Sequence, residues 1–316
     1  MQCLITGISG FAGSHLADYL LSLGHTVHGT IRQRSRRENI GHLEGKVTLH
    51  ECDLRDLSSV ETLFTKIHPD HIYHLAAQSF VPTSWNSPAE TMTTNVIGQS
   101  NLFEAVLRAG LRPKIQIACS SEEYGMVMPD ETPITEENPL RPLSPYGVSK
   151  VAQDMMGYQY FKSHGMRIVR TRAFNHTAPR RGVCFVTSNF CKQVAMIEAG
   201  KQEPVISVGN LTAVRDFTDA RDTVRAYHLL LEHGVLGEVY NIASGVGTTI
   251  ADMLDLILSF SDRKIEIRRD ASRMRPSDVP TLIGDCNRLR AATGWEPTIS
   301  FEQTMRDLLE YWRGRI

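Results

Sequence analysis

A chain of 316 residues with 41% hydrophobic side chains can bury a sizeable core and is long enough for two lobes. Its 34 Lys and Arg against 35 Asp and Glu leave a formal charge of -1, so a generally polyanionic partner such as nucleic acid is not expected. No run of ~18 apolar residues and no basic-then-apolar leader occurs, which excludes a membrane span and export as expectations. The cysteines (Cys3, Cys52, Cys119, Cys184, Cys191, Cys286) are scattered without Cys-x-x-Cys spacing. That pattern fits reduced thiols in a cytoplasmic protein and suggests no metal.

The first element is an apolar strand over 2–6, followed by Gly7-Ile8-Ser9-Gly10-Phe11-Ala12-Gly13 and a helix over 13–23 with Leu16, Tyr19, Leu20 and Leu23 on one face. Strand, glycine loop and helix N-terminus together form a cradle for a dinucleotide pyrophosphate. Gly7 allows the tight turn, Gly10 the close approach of the phosphates and Gly13 close helix-strand packing, while free amides and the helix dipole favour the anion. The second strand, 26–31, ends in Ile31-Arg32 with no carboxylate for ribose hydroxyls. Arg32, followed by Arg34, Arg36 and Arg37, suits a 2′-phosphate, so NADP(H) is expected over NAD.

Further strands are expected at 47–52, 71–76, 114–119 and 167–172, alternating with helices near 57–67, 88–109 and 145–163. Ser58 with Glu61 reads as a capping box, and Gly24 and Gly110 end the first and third helices. This alternation predicts an α/β, Rossmann-type, doubly wound parallel sheet. At the carboxyl edge of strand 114–119 stand Ser120, which can hydrogen-bond a reacting carbonyl, and Glu122, a candidate second acid or base. In the last helix, Tyr146 and Lys150 are spaced i, i+4 on one face, where an ammonium favours ionisation of a phenol. Beyond Thr171 the alternation degrades, and Pro179-Arg180-Arg181-Gly182 begins an irregular segment suited to binding. Val239-Tyr240-Asn241-Ile242-Ala243 reads as one more buried strand. The expected division is a dinucleotide-binding domain at 1–172 with 214–243 returning to it, and a smaller interleaved substrate lobe at 173–213 and 244–316.

In order, Thr6-Gly7 through Gly13, Asp53-Leu54, His74-Leu75-Ala76-Ala77, Asn95, Ser120, and Tyr146 with Lys150 resemble the landmarks of the extended short-chain dehydrogenase/reductase family over nearly the whole chain. The resemblance implies that Tyr146 exchanges the proton at the substrate oxygen, Lys150 holds the nicotinamide ribose and lowers the tyrosine pKa, and Ser120 orients that oxygen. It places Asp53 and Leu54 beside the adenine and Ala76 and Ala77 on the diphosphate side. Phe174-Asn175-His176, Pro179 to Gly182, Phe185-Val186-Thr187, Asn210 to Phe217 and Arg275 to Pro280 are similar to the nucleotide-sugar branch handling GDP-mannose derivatives. That similarity assigns the substrate diphosphate and nucleoside to Asn175, Lys192, Arg215 and Arg275, with Asp278 near a ribose hydroxyl. It implies NADPH-dependent reduction of the C4 ketone of GDP-4-keto-6-deoxy-D-mannose to GDP-D-rhamnose. The alternative is 4,6-dehydration of GDP-mannose without net cofactor consumption, in which Glu122 takes the C5 proton. The resemblance further implies a homo-oligomer, a dimer by preference, built on helices 88–109 and 145–163.

Overall fold

The computed structural model describes residues 1–270 and 279–316. Strand β1 (Gln2–Thr6) leads to helix α1 (Phe11–Ser22), followed by β2 (Thr26–Ile31), β3 (Thr48–Glu51), α2 (Leu57–Lys66) and β4 (His71–His74). The chain continues through α3 (Val81–Asn86), α4 (Pro88–Met92), a π-helical turn at Thr93–Ile97, α5 (Gly98–Arg108), β5 (Lys114–Ser120), α6 (Pro145–His164) and β6 (Arg167–Ala173). The second half contains β7 (Asn175–Thr177), α7 (Val186–Glu198), β8 (Val205–Val208), β9 (Val214–Asp219), α8 (Ala220–His233), β10 (Val239–Ile242) and β11 (Gly247–Thr249). It ends with α9 (Ile250–Leu258), β12 (Glu266–Arg269), β13 (Thr281–Leu282), α10 (Asn287–Thr293) and α11 (Phe301–Arg313).

Seven strands form one parallel sheet in the order β10-β6-β5-β4-β1-β2-β3. Strand succession reverses between β1 and β4, which opens a crevice at their carboxyl ends. Both faces are covered, as the nearly continuous apolar strands require. Leu16 and Leu20 of α1 pack with Leu230 of α8 and Trp295 against one face, and Leu63 and Phe64 of α2 with Leu102 and Phe103 of α5 against the other. Each side chain buried in this way contributes about 1.5–3 kcal/mol. A separate core around Phe190, Val194, Met253, Leu254 and Leu308 holds α7, α9 and α11 together.

Three local features differ from the sequence expectation. Helix α2 is capped by Asp56, whose side chain accepts from the Ser58 amide, while Glu61 pairs with Arg108, so no capping box forms at Ser58. The single helix expected over 88–109 is α4, the π turn and α5 in succession, preceded by the unexpected α3. Strand β4 stops at His74 instead of reaching residue 76, because the Thr6 hydroxyl accepts from the Leu75 and Ala76 amides at 3.1 Å and draws the chain out of the ladder.

Candidate active site

The crevice at the carboxyl edge of β1, β2, β4 and β5 opens into a cavity of about 400 Å³ lined by Gly7, Gly10, Phe11, Ala12, Gly13, Arg32, Asp53, Leu54, Ala76, Ala77, Ser120, Glu122, Tyr146, Lys150 and Asn175. Its glycines are required by contact as well as by turn geometry. Gly7 adopts φ +71° with Ala76 directly against it, and a β-carbon on Gly13 would lie 2.5 Å from the Gly7 carbonyl oxygen. The N-terminus of α1 has neither a side-chain cap nor an acidic residue in its first turn, which leaves its amides for an anion. This cradle fits a dinucleotide pyrophosphate.

At the far end of the cavity, Arg32, Arg34, Ser35, Asp53 and Arg55 surround a further recess. Asp53 is paired with Arg55, whose hydrogen bonds hold the carboxylate below its ordinary pKa against partial burial. Arg55 therefore joins Arg32 at this end, a basic partner that sequence reasoning passed over because it follows the tip of β3 by four residues.

At the opposite end, β5 delivers Ser120 into a 3₁₀ turn. Its hydroxyl accepts from the Glu122 amide at 3.2 Å, and its own amide donates to the Glu123 carboxyl at 2.9 Å. Helix α6 begins at Ser144, whose side chain caps Gly147, and carries Tyr146 and Lys150 into the same crevice. Gly147 lies so close to the Glu122 carbonyl that a β-carbon there would stand 2.7 Å from it, and this contact fixes the 3₁₀ turn against the helix. Behind them Asn95, fully buried in the π turn, donates to the Ser149 hydroxyl at 2.9 Å, which donates to the Tyr146 carbonyl at 2.7 Å. The Asn95 side chain also bridges the backbone N–H and C=O of Gln78.

Burial raises the Tyr146 phenol well above the ordinary tyrosine value, with the Glu122 and Glu123 carboxyls adding to the shift and Ser120 and Arg181 opposing it. This differs from the expectation that Lys150 lowers it. The ammonium stands 5.8 Å from the ring centre and donates to the Ala118 carbonyl at 2.7 Å, so desolvation prevails. Burial lowers the Lys150 pKa, with Cys119 and Glu123 pulling the other way. The phenol is therefore protonated at neutral pH, the state needed to donate a proton.

A second chamber of about 310 Å³ adjoins the first and shares with it Glu122, Asn175, His176, Arg181 and Phe185. Arg215 lines it from β9, and Asn189 and Phe190 from α7. Lys192 does not line it: one turn of α7 carries that side chain away, with its ammonium 5.3 Å over the Trp312 ring. Arg275 and Asp278 lie outside the described residues. At the junction the sequence reading overlooked Arg181. Arg180, held at φ +75°, donates to Asp18 and to His15, both at 2.7 Å, and anchors the loop to α1. The next residue turns inward, with the Arg181 guanidinium 3.5 Å from the Phe185 ring centre and 4.7 Å from that of Phe11. Among the described residues the Arg181 guanidinium has no hydrogen-bond or ion-pair partner, and burial pulls its pKa down to about 10, leaving it charged at neutral pH. The signal was present in Pro179 to Gly182, but nothing in that segment tells which arginine faces the structure and which the cavity.

The sheet order, the glycine cradle at the switch point and the Ser120, Tyr146 and Lys150 cluster define an extended short-chain dehydrogenase/reductase. The family model for GDP-mannose 4,6 dehydratase matches residues 4–308, and the chain belongs to that family. It is 33% identical over 315 residues to the GDP-6-deoxy-D-mannose reductase of Pseudomonas aeruginosa, covering 100% of this chain and 98% of that protein. It is 32% identical over 336 residues to human GDP-mannose 4,6 dehydratase, covering 97% and 90% respectively. Among solved structures it resembles that of RMD from Pseudomonas aeruginosa complexed with NADPH, at a TM-score of 0.88 and 32% identity over 100% of this chain and 99% of that one.

Proposed function

We propose that this protein is an NADPH-dependent reductase that converts the C4 ketone of GDP-4-keto-6-deoxy-D-mannose to the alcohol of GDP-D-rhamnose. The observation that carries the reading is the Tyr146 phenol set beside Ser120 and Lys150 in the first chamber, next to Glu122, which lines both chambers. The full-length similarity to a GDP-6-deoxy-D-mannose reductase supports it. The first chamber takes the dinucleotide: Gly7, Gly10, Phe11, Ala12 and Gly13 surround the pyrophosphate, Leu54 and Asp53 flank the adenine, Ala76 and Ala77 border the diphosphate, and Arg32 with Arg55 meets the 2′-phosphate. Bound NADPH supplies a hydride to the ketone carbon. Ser120 donates a hydrogen bond to the ketone oxygen, Tyr146 transfers its proton to that oxygen as it gains charge, and Lys150 orients the cofactor ribose beside the phenol. In the second chamber Asn175, Arg181 and Arg215 hold the sugar nucleotide, with Arg181 offering its unpaired guanidinium to the diphosphate.

With NADPH deuterated at the transferable position of the nicotinamide, the expected product carries one deuterium, at C4 of the sugar. A product without deuterium while NADPH is consumed contradicts the reading. Cofactor choice has its own test. Arg32→Ala is expected to weaken NADPH binding by at least ~10-fold, as loss of a charge-assisted hydrogen bond does, and to leave NADH binding unchanged in a fluorescence titration.

One observation favours a second reading. Glu122 lines both chambers, where a base for the C5 proton of GDP-mannose would stand, and the family includes dehydratases. If the chain dehydrates GDP-mannose, Glu122→Gln lowers that rate by at least ~10²-fold and leaves ketone reduction largely intact. Unchanged dehydration in the variant removes Glu122 from the elimination.

Ile97, Val148, Met155 and Tyr158 are each more than two-fifths exposed, three of them on α6. We assign this apolar face to a homodimer formed by pairing of α5 and α6 between two copies. Tyr158→Glu is expected to shift the sedimentation coefficient to that of a monomer. The six unpaired cysteines suit a reducing, cytoplasmic setting, and no helix among the described residues is long and apolar enough to cross a membrane.

A further inference from the structure

We propose a divalent transition-metal site, of the zinc class, at the amino-terminal edge of the sheet, formed by His71, His228 and Glu232. His71 opens β4, while His228 and Glu232 stand i, i+4 in the last turns of α8. The catalytic crevice is at the other end of these strands, so the metal takes no part in the reduction. One ligand atom from each of the three residues lies within 4.8 Å of the other two. His71 Nδ1 and Glu232 Oε1 are 3.6 Å apart, beyond hydrogen-bonding distance. Two ligands held about 2.0–2.1 Å from a tetrahedral ion stand roughly 3.4 Å apart, which this separation nearly matches.

The independent observation is that both atoms are buried and without a hydrogen-bond partner, with His71 only 4% exposed. A buried imidazole nitrogen and carboxylate oxygen left unpaired carry a desolvation cost that an ion between them removes. The ring of His228 is oriented by the hydrogen bond between its Nδ1 and the Tyr73 phenol at 2.9 Å, as outer partners orient metal-ligating imidazoles. The carboxyl end of α8 has a negative potential that favours a cation. Lys114 offsets part of it by donating to the Leu231 and Glu232 carbonyls. The sequence offered no hint, because 157 residues (71 to 228) separate the two imidazoles.

The test uses the full-length protein with NADPH bound, stripped of adventitious metal by a chelator and titrated with Co²⁺ while visible absorption is recorded. One Co²⁺ per chain is expected, giving the intense visible bands of a tetrahedral site that disappear when Zn²⁺ is added. Glu232→Gln preserves shape and is expected to retain turnover while losing at least ~10-fold in Co²⁺ affinity, since even outer partners of a metal site are worth that much. His71→Asn should act likewise. Absence of a stoichiometric site, or equal affinity in wild type and Glu232→Gln, overturns the proposal and reduces the cluster to a strained His71 and Glu232 contact.

Discussion

Tyr146→Phe is expected to lower turnover with the keto sugar by at least ~10²-fold while leaving NADPH affinity unchanged, because a positioned acid contributes that much to proton transfer. The substitution keeps the ring, which is only 8% exposed and packs at the start of α6, and removes only the oxygen that faces Ser120. Two networks hold that oxygen in place. Asn95 and Ser149 fix the Tyr146 backbone, and Gly147 presses the helix onto the turn that carries Ser120. Burial keeps the phenol protonated, so ionisation of Tyr146 should not reduce the rate across the neutral range. Steady-state kinetics alongside a cofactor titration checks both parts. Equal loss of turnover and of NADPH binding would place Tyr146 in the architecture of the site and not in the proton transfer.

Asp154→Asn is expected to destabilise the fold by about 3–5 kcal/mol, the usual consequence of removing one partner from a buried ion pair. Asp154 is fully buried on α6, two turns beyond Tyr146, and meets both Arg170 and Arg172 of β6, the latter at 2.7 Å. Arg172 also approaches Glu123 at 3.2 Å and donates to the Tyr124 phenol at 3.1 Å. Although burial opposes its charge, Asp154, Tyr124 and Glu123 raise its pKa and keep it charged. Removing the Asp154 charge leaves Arg170 with the Gly237 carbonyl and no carboxylate, leaves Arg172 facing only the Glu123 carboxyl, and loosens the helix that holds Tyr146 and Lys150. Denaturant melts would register the loss, and an unchanged midpoint would mean that neighbouring groups already satisfy both arginines.

Glu123 is the informative control. Burial and the neighbouring Asp154 raise its pKa well above the ordinary carboxyl value, so the folded chain holds its proton more tightly than the unfolded one does. The folded state therefore holds the extra proton, and this group's contribution to stability falls as pH rises from the ordinary carboxyl value toward the raised one. Glu123→Gln reproduces the neutral form and should remove that dependence without the cost of Asp154→Asn.

The glycine loop, the strand alternation and the i, i+4 pair at Tyr146 were legible because each is a local pattern with a local cause. A tight turn needs Gly7, a buried parallel strand needs an apolar run, and one helical turn joins Tyr146 to Lys150. The parts that escaped depend on distant contacts. Asp56 caps α2 although Ser58 and Glu61 have the better capping spacing, because Glu61 is drawn to Arg108. Arg181 faces the junction only because Arg180 is taken by Asp18 and His15 on α1. Lys192 was placed with the substrate groups by resemblance, yet the face of α7 on which it falls packs toward Trp312. The local pattern at Tyr146 also misled about energy: adjacency to an ammonium implied a lowered pKa, whereas burial of the whole crevice sets the direction.

The central claim is tested most directly by a paired assay on the purified protein. NADPH consumption is followed with GDP-4-keto-6-deoxymannose, and product mass is followed separately after incubation with GDP-mannose. The reductase reading predicts one NADPH oxidised per keto sugar consumed and no change in GDP-mannose. Loss of one water from GDP-mannose without net NADPH use, together with no reduction of the keto sugar, would contradict it and make the protein a dehydratase with Glu122 as its base.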